Sequence, residues 1–454
     1  GNTVRGNVIS DNADTGIFLS GGSAASDLTN LIEDNFVGTD ASGTRDLGNT
    51  LMGIRVSSGF GPIIRGNVVS GNNNTNIQLD ATTSGVLIED NLVGTDASGN
   101  AALIDPQGLA TSGIVIVGRD NTVRGNVISA NPVDGLTIDG LNVADGRGSG
   151  NVVQDNLIGV GLDGVTPLGN GRYGVRIWRG ASDNTIGTDG NDLGDETEGN
   201  TIANNGDAGV LVLDSTSLGN TIRRNAINDN GGLGIDLDGD GLTANDQSDA
   251  DTGPNHLQNF PELKAARAGN TTTVIGTLSS GPSATFTLDF YASEHLDSNG
   301  FGEGARWLGS IDVTTNPAGI ASFREGFPVP TEGGEFITAT ATDGTGNTSE
   351  FSAGVMTTGR NRDGVLVIGG TIGDDIVQIA SGSIDVTING ERFLFDDDGI
   401  SSIDVNLLTG DDKTELRLPD DSRDLPSWSI SATSLEDWSI DSSDRSSTEH
   451  TVTV

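Results

Sequence analysis

The first half of the chain repeats one short arrangement of apolar and polar positions. An apolar residue is followed by two variable residues, an asparagine and two more apolar residues. Residues 2–10 recur unchanged at 121–129, and residues 32–43 recur at 88–99 with one change. The asparagines of this arrangement are Asn7, Asn35, Asn67, Asn91, Asn126, Asn156, Asn205 and Asn225.

Each unit is followed by a short run in which apolar residues alternate with other residues, as at 16–19 and 174–177. A period of two is typical of strands with one buried face, so one repeat contains at least two short strands. A unit of this size cannot enclose a core alone, and the repeats must therefore stack as coils of a solenoid. We expect the asparagines to lie inside, in register, and to form a hydrogen-bonded ladder along the stack.

Two regularities predict the outer surface of the coils. Every second coil of the first six has a longer loop, at 38–49, 94–112 and 159–171, and we expect these loops to project from one side. The residue two positions before each asparagine alternates in charge through most of the series, which predicts a ladder of ion pairs that each contribute ~0–1 kcal/mol. That series is Arg5, Glu33, Arg65, Glu89, Arg124 and Gln154.

Beyond the coils, residues 266–357 contain six apolar-alternating runs separated by glycine, proline, asparagine and aspartate, which predicts a β-sandwich. The runs are 272–278, 285–292, 307–313, 320–323, 336–342 and 349–355. From residue 359 the composition changes to an acidic stretch, and the last thirty residues are rich in Ser and Asp. We expect these last residues to form surface strands or a partly disordered tail.

The coils resemble the right-handed parallel β-helix repeat proteins of bacteria. The segments 230–237, 249–255 and 257–261 resemble the end of the helix in a group of large exported bacterial proteins. An immunoglobulin-like module usually follows there, with segments similar to 336–343 and 346–352.

The predicted architecture is all-β. A right-handed parallel β-helix covers 1–262, an immunoglobulin-like β-sandwich covers 263–358, and a small acidic β-rich domain covers 359–454. The resemblance carries no shared activity with it. Because the chain opens inside a repeat and without a methionine, we expect it to begin within a longer protein whose export signal lies upstream.

The charge narrows the choice of partners. With 64 acidic and 23 basic residues the net charge is −41, which disfavours nucleic acid and anionic membrane surfaces and favours metal cations. The chain has no cysteine and no apolar run long enough to span a membrane. We expect a monomeric extracellular or cell-surface protein.

Two acidic segments are candidate calcium sites. Asp236, Asp238 and Asp240 precede Gly241 with the spacing of a tight calcium loop, and Asp246 lies one place before the expected final ligand, where Gln247 stands. The alternative is a turn with solvated acids that ends the helix.

The second segment, 366–377 with Asp374 and Asp375, resembles a degenerate repeats-in-toxin nonapeptide, a motif that binds calcium in parallel β-rolls. Residues 410–412 form a second fragment of that kind. The alternative is an acidic turn without metal.

A candidate ligand surface lies on one coil. Alternation places Val175 and Ile177 inside the coil and their neighbours outside. The predicted binding residues are Arg172, Tyr173, Arg176, Trp178 and Arg179. An exposed Trp beside arginines can stack a sugar ring and pair with its carboxylate or sulfate. In the alternative, the Trp packs under a loop and the arginines cover it.

Catalysis is not indicated. Parallel β-helices include pectate lyases, polygalacturonases and alginate epimerases, but their motifs are absent here. The coils contain no lysine or histidine, since His256, His295 and His450 all come later. We therefore predict no catalytic residue and expect a non-catalytic surface protein that contacts a polysaccharide.

The alternatives are a polysaccharide lyase or glycoside hydrolase, and a purely structural protein that displays other domains. A cleft that is bordered by long loops and contains converging Arg and Asp side chains would favour the enzyme.

Overall fold

The structure is a computed structural model. It describes the chain except residues 22–29, 104–110, 143–144, 297–299, 381–383, 397–399, 401, 411, 418–428, 432–436, 442–450 and 454. The chain divides into two compact units, one made of Gly1–Asn259 with Ala341–Glu350, the other of Phe260–Thr340 with Phe351–Val454.

The first unit contains eight coils of three strands each. In chain order the strands are β1 Thr3–Arg5, β2 Val8–Ile9, β3 Ile17–Leu19, β4 Leu31–Glu33, β5 Phe36–Val37, β6 Met52–Phe60, β7 Ile63–Arg65, β8 Val68–Val69, β9 Thr75–Ser84, β10 Leu87–Glu89, β11 Leu92–Val93, β12 Ser112–Ile116, β13 Thr122–Arg124, β14 Val127–Ile128, β15 Leu136–Asp139, β16 Val152–Gln154, β17 Leu157–Ile158, β18 Val175–Trp178, β19 Thr185–Gly187, β20 Thr201–Ala203, β21 Val210–Val212, β22 Thr221–Arg223, β23 Ala226–Asn228 and β24 Ile235–Leu237.

The first strands of all coils pair into one parallel sheet (sheet A), the second strands into sheet B and the third strands into sheet C. Parallel strands joined by short crossovers take the right-handed connection. The predicted right-handed parallel β-helix is therefore confirmed, with three strands per coil. Two short 3-10 helices, Asp195–Thr197 and Pro254–Leu257, are found among the residues described. None of those residues belongs to a helix that is long and apolar enough to cross a membrane.

The core is a stack of β-branched and leucine side chains in register. In sheet C, Ile77, Ile114 and Leu136 face the interior at equivalent positions, and each is fully buried. Such residues suit a pleated surface with one buried face. Every coil thus adds one layer to a core that continues along the solenoid.

Asparagine ladders follow the corners of the coils, and the structure has three of them rather than the predicted one. The ladder between sheets A and B runs through Asn7, Asn35, Asn67, Asn91, Asn126, Asn156, Asn200 and Asn225. The ladder between sheets B and C runs through Asn12, Asn49, Asn72, Asn76, Asn131, Asn170, Asn205 and Asn230. The third joins Asn121, Asn151, Asn184, Asn220 and Asn255 between sheets C and A.

The prediction for Asn205 is therefore wrong in one respect. Asn205 is buried in the second ladder, whereas Asn200 takes its expected place in the first. The reason is an insertion at 188–199 between β19 and β20, which separates the apolar residue of the repeat from its asparagine.

The ion pairs on sheet A follow the predicted alternation. Glu33 lies between Arg5 and Arg65, at nitrogen–oxygen distances of 3.5 and 2.8 Å, and Arg124 lies 2.8 Å from Glu89. The strand register places these side chains directly opposite each other on neighbouring coils. The predicted ladder is confirmed at these positions.

The long loops also follow the prediction. Each folds back as a small antiparallel turn. The long loops lie on every second coil, and each one contacts the next long loop along the solenoid. Ala97 donates its N–H to the Gly43 carbonyl at 2.9 Å, and Leu162 donates to Gly99 at 2.9 Å. The loops therefore form one ridge beside sheet C.

Glycine is required where these loops leave the β-helix. Gly94 and Gly159 have φ values of 94° and 85°. A Cβ atom at these positions would lie 2.3 Å from the Ser129 carbonyl oxygen and 1.9 Å from that of Ala203. Only glycine allows the next coil to approach this closely.

The second unit begins with antiparallel strands. In chain order its strands are β25 Glu262–Arg267, β26 Thr272–Ser279, β27 Thr285–Ser293, β28 Arg306–Thr314, β29 Ile320–Phe327, β30 Phe336–Asp343, β31 Val355–Arg360, β32 Val365–Gly369, β33 Ile376–Ala380, β34 Ile384–Ile388, β35 Glu391–Phe395, β36 Ser402–Asn406, β37 Lys413–Arg417, β38 Ser429–Ser431, β39 Asp437–Asp441 and β40 Thr451–Thr453. The last residues of β30 belong to the first unit.

The first of these strands form a β-sandwich. The order is β28-β27-β30-β31-β25-β26-β29, and Phe290 of β27 packs against Phe323 and Phe327 of β29, with ring centroids 5.5 and 5.0 Å apart. β31 also pairs with β32, which pairs with β36. The sandwich and the acidic β-rich tail thus lie in one unit, and their division at 358 stays a prediction.

One predicted strand of the sandwich is wrong. Residues 349–355 were expected to be extended, but the strand begins at Val355, and β25 precedes the expected first strand. Ser349 and Glu350 instead belong to the segment Ala341–Glu350 of the first unit. There Asn347 accepts the Gly219 N–H at 2.7 Å, and Thr348 accepts that of Ile222 at 2.9 Å. This segment covers the last coil and satisfies its backbone.

Candidate functional site

The predicted ligand surface lies on the outer face of sheet C. Val175 and Ile177 of β18 are fully buried, whereas Arg176 and Trp178 are partly exposed, as the alternation predicted. The register aligns Arg176 with Thr137 and Leu211 of the neighbouring coils.

Arg176 is held by a buried carboxylate. Its Nη2 lies 2.8 Å from Oδ2 of Asp134, which is fully buried and also accepts a hydrogen bond from Thr137 Oγ1 at 3.1 Å. Burial lowers the pKa of Arg176, and the charge of Asp134 opposes this effect. The guanidinium stays charged, because arginine is protonated throughout the physiological range. Asp134 neutralises this cation locally.

Trp178 lies between cations. The guanidinium groups of Arg176 and Arg179 are each 4.3 Å from its ring centroid. Arg179 in turn pairs with Asp139, whose Oδ1 lies 2.8 Å from Arg179 Nε, and this hydrogen bond raises the pKa of Arg179. The geometry agrees with the alternative in which arginines cover the tryptophan, and it leaves little of the ring face open to a sugar.

Three polar atoms at this point have no hydrogen-bond partner among the residues described. They are Asp134 Oδ1, Arg176 Nε and Trp178 Nε1, and all are buried. One acceptor and two donors around Arg176 are thus left unpaired within the described part of the chain. The interior of this cluster is therefore polar and incompletely paired.

Arg172 and Tyr173 form the accessible part of the surface. The Arg172 guanidinium lies 4.7 Å from the Tyr173 ring centroid and donates to its hydroxyl at 3.0 Å. Arg172 is exposed, and within the part of the chain that is described it has no carboxylate at ion-pair distance. Of the five predicted ligand residues, this arginine is the one whose charge a ligand can reach without displacing a carboxylate.

A groove of about 430 Å³ lies on the same side of the solenoid, beside the extended ends of β6 and β9. Arg119, Asp145 and Arg147 line it, together with small residues such as Ser58 and Thr82. Asp145 pairs with Arg147 at 2.8 Å. The sequence analysis did not single out this groove, because it combines the extended ends of β6 and β9 with residues of the connections that follow β12 and β15, and the repeat predicts neither.

The predicted calcium loop is only partly assembled. Asp236 is buried and accepts the Gly239 N–H at 3.0 Å, whereas Asp238 and Asp240 are exposed. Burial raises the pKa of Asp236 to about 6. Among the described residues, Asp246 lies with Asp249 and Asp251 rather than with the other predicted ligands. Calcium at Asp236, Asp238, Asp240 and Asp246 stays a prediction.

The tail brings Asp375 together with Asp412 of the second acidic fragment, whose Asp411 lies outside the described residues. β33 and β37 pair in parallel with Ile376 opposite Lys413, so that Asp375 and Asp412 occupy equivalent positions before the two strands. Both are buried, and Asp412 Oδ1 accepts the Asp375 N–H at 2.9 Å. Burial raises the pKa of Asp375 to about 6. Asp374 is exposed beside them.

Comparisons with known proteins agree with the fold of the first unit. The family described as "right handed beta helix region" matches residues 1–192. No curated protein matches the sequence.

Similar solved structures include the A-module of a mannuronan C-5 epimerase from Azotobacter vinelandii, 18% identical over 49% of this chain, with a TM-score of 0.31. They also include the full-length tailspike protein 2 of a bacteriophage of Escherichia coli O157:H7, 11% identical over 74% of this chain, with a TM-score of 0.31. A third is the tailspike of E. coli bacteriophage HK620 in complex with a pentasaccharide, 8% identical over 71% of this chain and 72% of that chain, with a TM-score of 0.18. The chain spans 59% of the length of each of the first two proteins.

Sequence reasoning missed four acids that matter at these sites, namely Asp134, Asp189, Asp195 and Glu198. Asp134 lies in the turn before β15, where the repeat gives no signal for an ion pair with Arg176 forty-two residues later. Asp195 and Glu198 lie in the inserted loop at 188–199, close to Asp189. The acid-rich composition of that loop was the available signal.

Proposed function

We propose that this protein is a non-catalytic extracellular surface protein whose β-helix contacts an acidic polysaccharide through the outer face of sheet C. The observation that carries the proposal is the exposed guanidinium of Arg172 beside the Tyr173 ring, without a carboxylate partner in the described part of a chain with a net charge of −41. Such an arginine would bind a carboxylate or sulfate by charge-assisted hydrogen bonds. The tyrosine ring supplies an apolar surface for the sugar.

The neighbouring acids support a binding role over catalysis. Asp134 and Asp139 are each paired with an arginine, so we infer that they hold the arginines in place rather than react with a substrate. A ligand anion would therefore meet a fixed array of charges rather than a reactive carboxylate. A rigid solenoid with such a face suits a stalk or an adhesive surface.

Binding of a sulfated or uronate-rich oligosaccharide, measured by calorimetry, tests this proposal. We expect the double variant Arg172→Ala, Tyr173→Ala to bind about tenfold or more weakly, since it loses the free cation and the ring. Arg124→Ala removes an exposed arginine from sheet A and is expected to bind as the wild type does. Equal weakening in both variants would show that net charge alone drives association. Absence of binding by the wild type would contradict the proposal.

A polysaccharide-active enzyme is the second candidate, and one observation favours it. The register places Asp236 on the same outer row as Arg176, with Leu211 between them, and its raised pKa of about 6 is near the range of a general acid or base. Release of new chain ends from a uronate polymer, lost in Asp236→Asn, would support this candidate.

The proposal also includes a role for the second unit. We infer that the sandwich is an immunoglobulin-like spacer and that the tail binds calcium at Asp374 and Asp375. Support comes from the parallel pairing of β33 and β37, which brings Asp375 and Asp412 to equivalent positions and so gathers carboxylates as a calcium site requires. Addition of calcium is then expected to raise the melting temperature of the second unit, and Asp375→Asn to abolish that rise.

A further inference from the structure

The loop 188–199 interrupts the regular coils. Elsewhere two residues separate the strands of sheets A and B, as between β7 and β8, but here thirteen residues separate β19 from β20. The loop contains Asp189, Asp192, Asp195, Glu196 and Glu198 and no basic residue. Its short 3-10 helix, Asp195–Thr197, carries the central acid.

Three of these acids converge. One carboxylate oxygen from each of Asp189, Asp195 and Glu198 lies within 4.8 Å of the other two. Asp192 and Glu196, on the same loop, are exposed and lie outside this group. Three carboxylates at this separation repel one another, and a cation between them would offset that repulsion.

A second observation points to a ligand. Asp195 is buried, with 7% of its surface exposed, and its Oδ1 has no hydrogen-bond partner among the residues that the structure describes. The other oxygen, Oδ2, lies 3.4 Å from Arg224 Nη1. A buried carboxylate oxygen without a donor is costly unless a cation meets it.

We propose that Asp189, Asp195 and Glu198 bind a calcium ion. All three ligands are hard oxygen donors, and the exposed side of the group leaves room for water to complete the six to eight positions that calcium takes. Nitrogen and sulfur ligands, which zinc prefers, are absent from these three residues. This site is separate from the predicted sites in 236–246 and 374–375.

The ion would anchor the insertion to the β-helix. The Glu198 carbonyl accepts the Asp155 N–H of the preceding coil at 3.1 Å, and Asn200 directly after the loop enters the first ladder. Calcium on the Glu198 side chain therefore restrains the loop at the point where it rejoins the core. We expect the backbone of 188–199 to exchange its amide hydrogens more slowly when calcium is bound.

Calcium titration of the full chain by calorimetry, after treatment with chelator, tests the proposal. Glu198→Gln is compared with Glu196→Gln, which changes an exposed acid two residues away, and Asp189→Asn with Asp192→Asn. We expect Glu198→Gln and Asp189→Asn to lose one calcium equivalent or to weaken it about tenfold or more. The two controls should keep the wild-type stoichiometry, which also separates this site from any other calcium site in the chain.

Two outcomes would overturn the proposal. One is an unchanged number of calcium equivalents and unchanged affinity in both Asp189→Asn and Glu198→Gln. The other is the absence of a calcium effect on hydrogen exchange across 188–199 in the wild type. Asp189 is exposed, so its substitution does not disturb the core, and a variant that loses calcium while keeping its melting temperature in chelator supports direct ligation.

Discussion

Replacing Asn126 by alanine is expected to lower the free energy of unfolding of the β-helix by ~3–6 kcal/mol. The Asn126 side chain is fully buried and accepts both the backbone and the side-chain N–H groups of Asn91 at 2.9 Å. It donates to the Ile88 carbonyl and to Asn156 Oδ1 at 3.0 Å. Alanine would leave several buried groups unpaired, at a cost of roughly 1–3 kcal/mol each.

Denaturant unfolding followed by circular dichroism measures this effect. Asn7→Ala is the matched control. Asn7 belongs to the same ladder but is exposed, and among the described residues its partner in the ladder is Asn35. We expect Asn7→Ala to cost about 1 kcal/mol or less, since water can replace the lost partner. Similar losses in the two variants would mean that the ladder contributes no more inside the core than at its exposed end.

The stability of the first unit is expected to fall as the pH rises from about 5 to about 9, by a few kcal/mol in total. The cause is Glu350, which is 2% exposed and whose carboxylate accepts the N–H groups of Leu237 and Thr243, both at 2.9 Å. Burial raises the pKa of Glu350 from 4.5 to about 8, and the charges of Asp236 and Asp240 add to the shift.

The direction of this pH dependence follows from which state, folded or unfolded, holds the proton. Between the pKa of the unfolded chain and that of the folded chain, the folded state keeps a proton that the unfolded state has lost. Raising the pH through this window therefore favours unfolding, and the loss levels off above about pH 9. Asp236, with its pKa raised to about 6, adds a smaller loss between about pH 4 and pH 6.

Comparison with Glu350→Gln isolates this contribution. Glutamine keeps the size of the side chain but carries no charge, so the variant should show a flatter stability profile and should exceed the wild type most clearly at pH 9. Urea unfolding at intervals of one pH unit is the appropriate measurement. Parallel profiles for the two proteins would show that Glu350 does not titrate in this window.

The asparagine ladders at the corners of the solenoid were predicted only in part. The first asparagine ladder is visible in the sequence because its asparagines sit at a constant distance from apolar residues. Members of the other two ladders also lie at a constant distance where no long loop intervenes: Asn121 precedes Asn126 by five residues, and Asn131 follows it by five. The long loops break this spacing at Asn49 and Asn170, so these two asparagines cannot be assigned from the repeat alone. Asn200 illustrates the limit, since the insertion before it hides its membership in a ladder that depends only on stacking.

The candidate ligand surface shows the same limit. The outward direction of Arg176 and Trp178 follows from strand alternation alone, and the structure agrees. Their partners do not follow from it, because Asp134 lies on the preceding coil, in a turn before its third strand. The covering of the Trp178 ring by two guanidinium groups is a consequence of that neighbour and of Asp139.

The sequence by itself determined the coils, the inward apolar stack, the charge ladder of sheet A and the side from which the long loops project. Each of these depends on a short local period, and stacking at one strand spacing converts that period directly into contacts. Tertiary structure alone decided the segment 341–350 on the last coil, the convergence of Asp189, Asp195 and Glu198, and the pairing of Arg176 with Asp134. These contacts join residues whose separation follows no repeat, so only the folded chain brings them together.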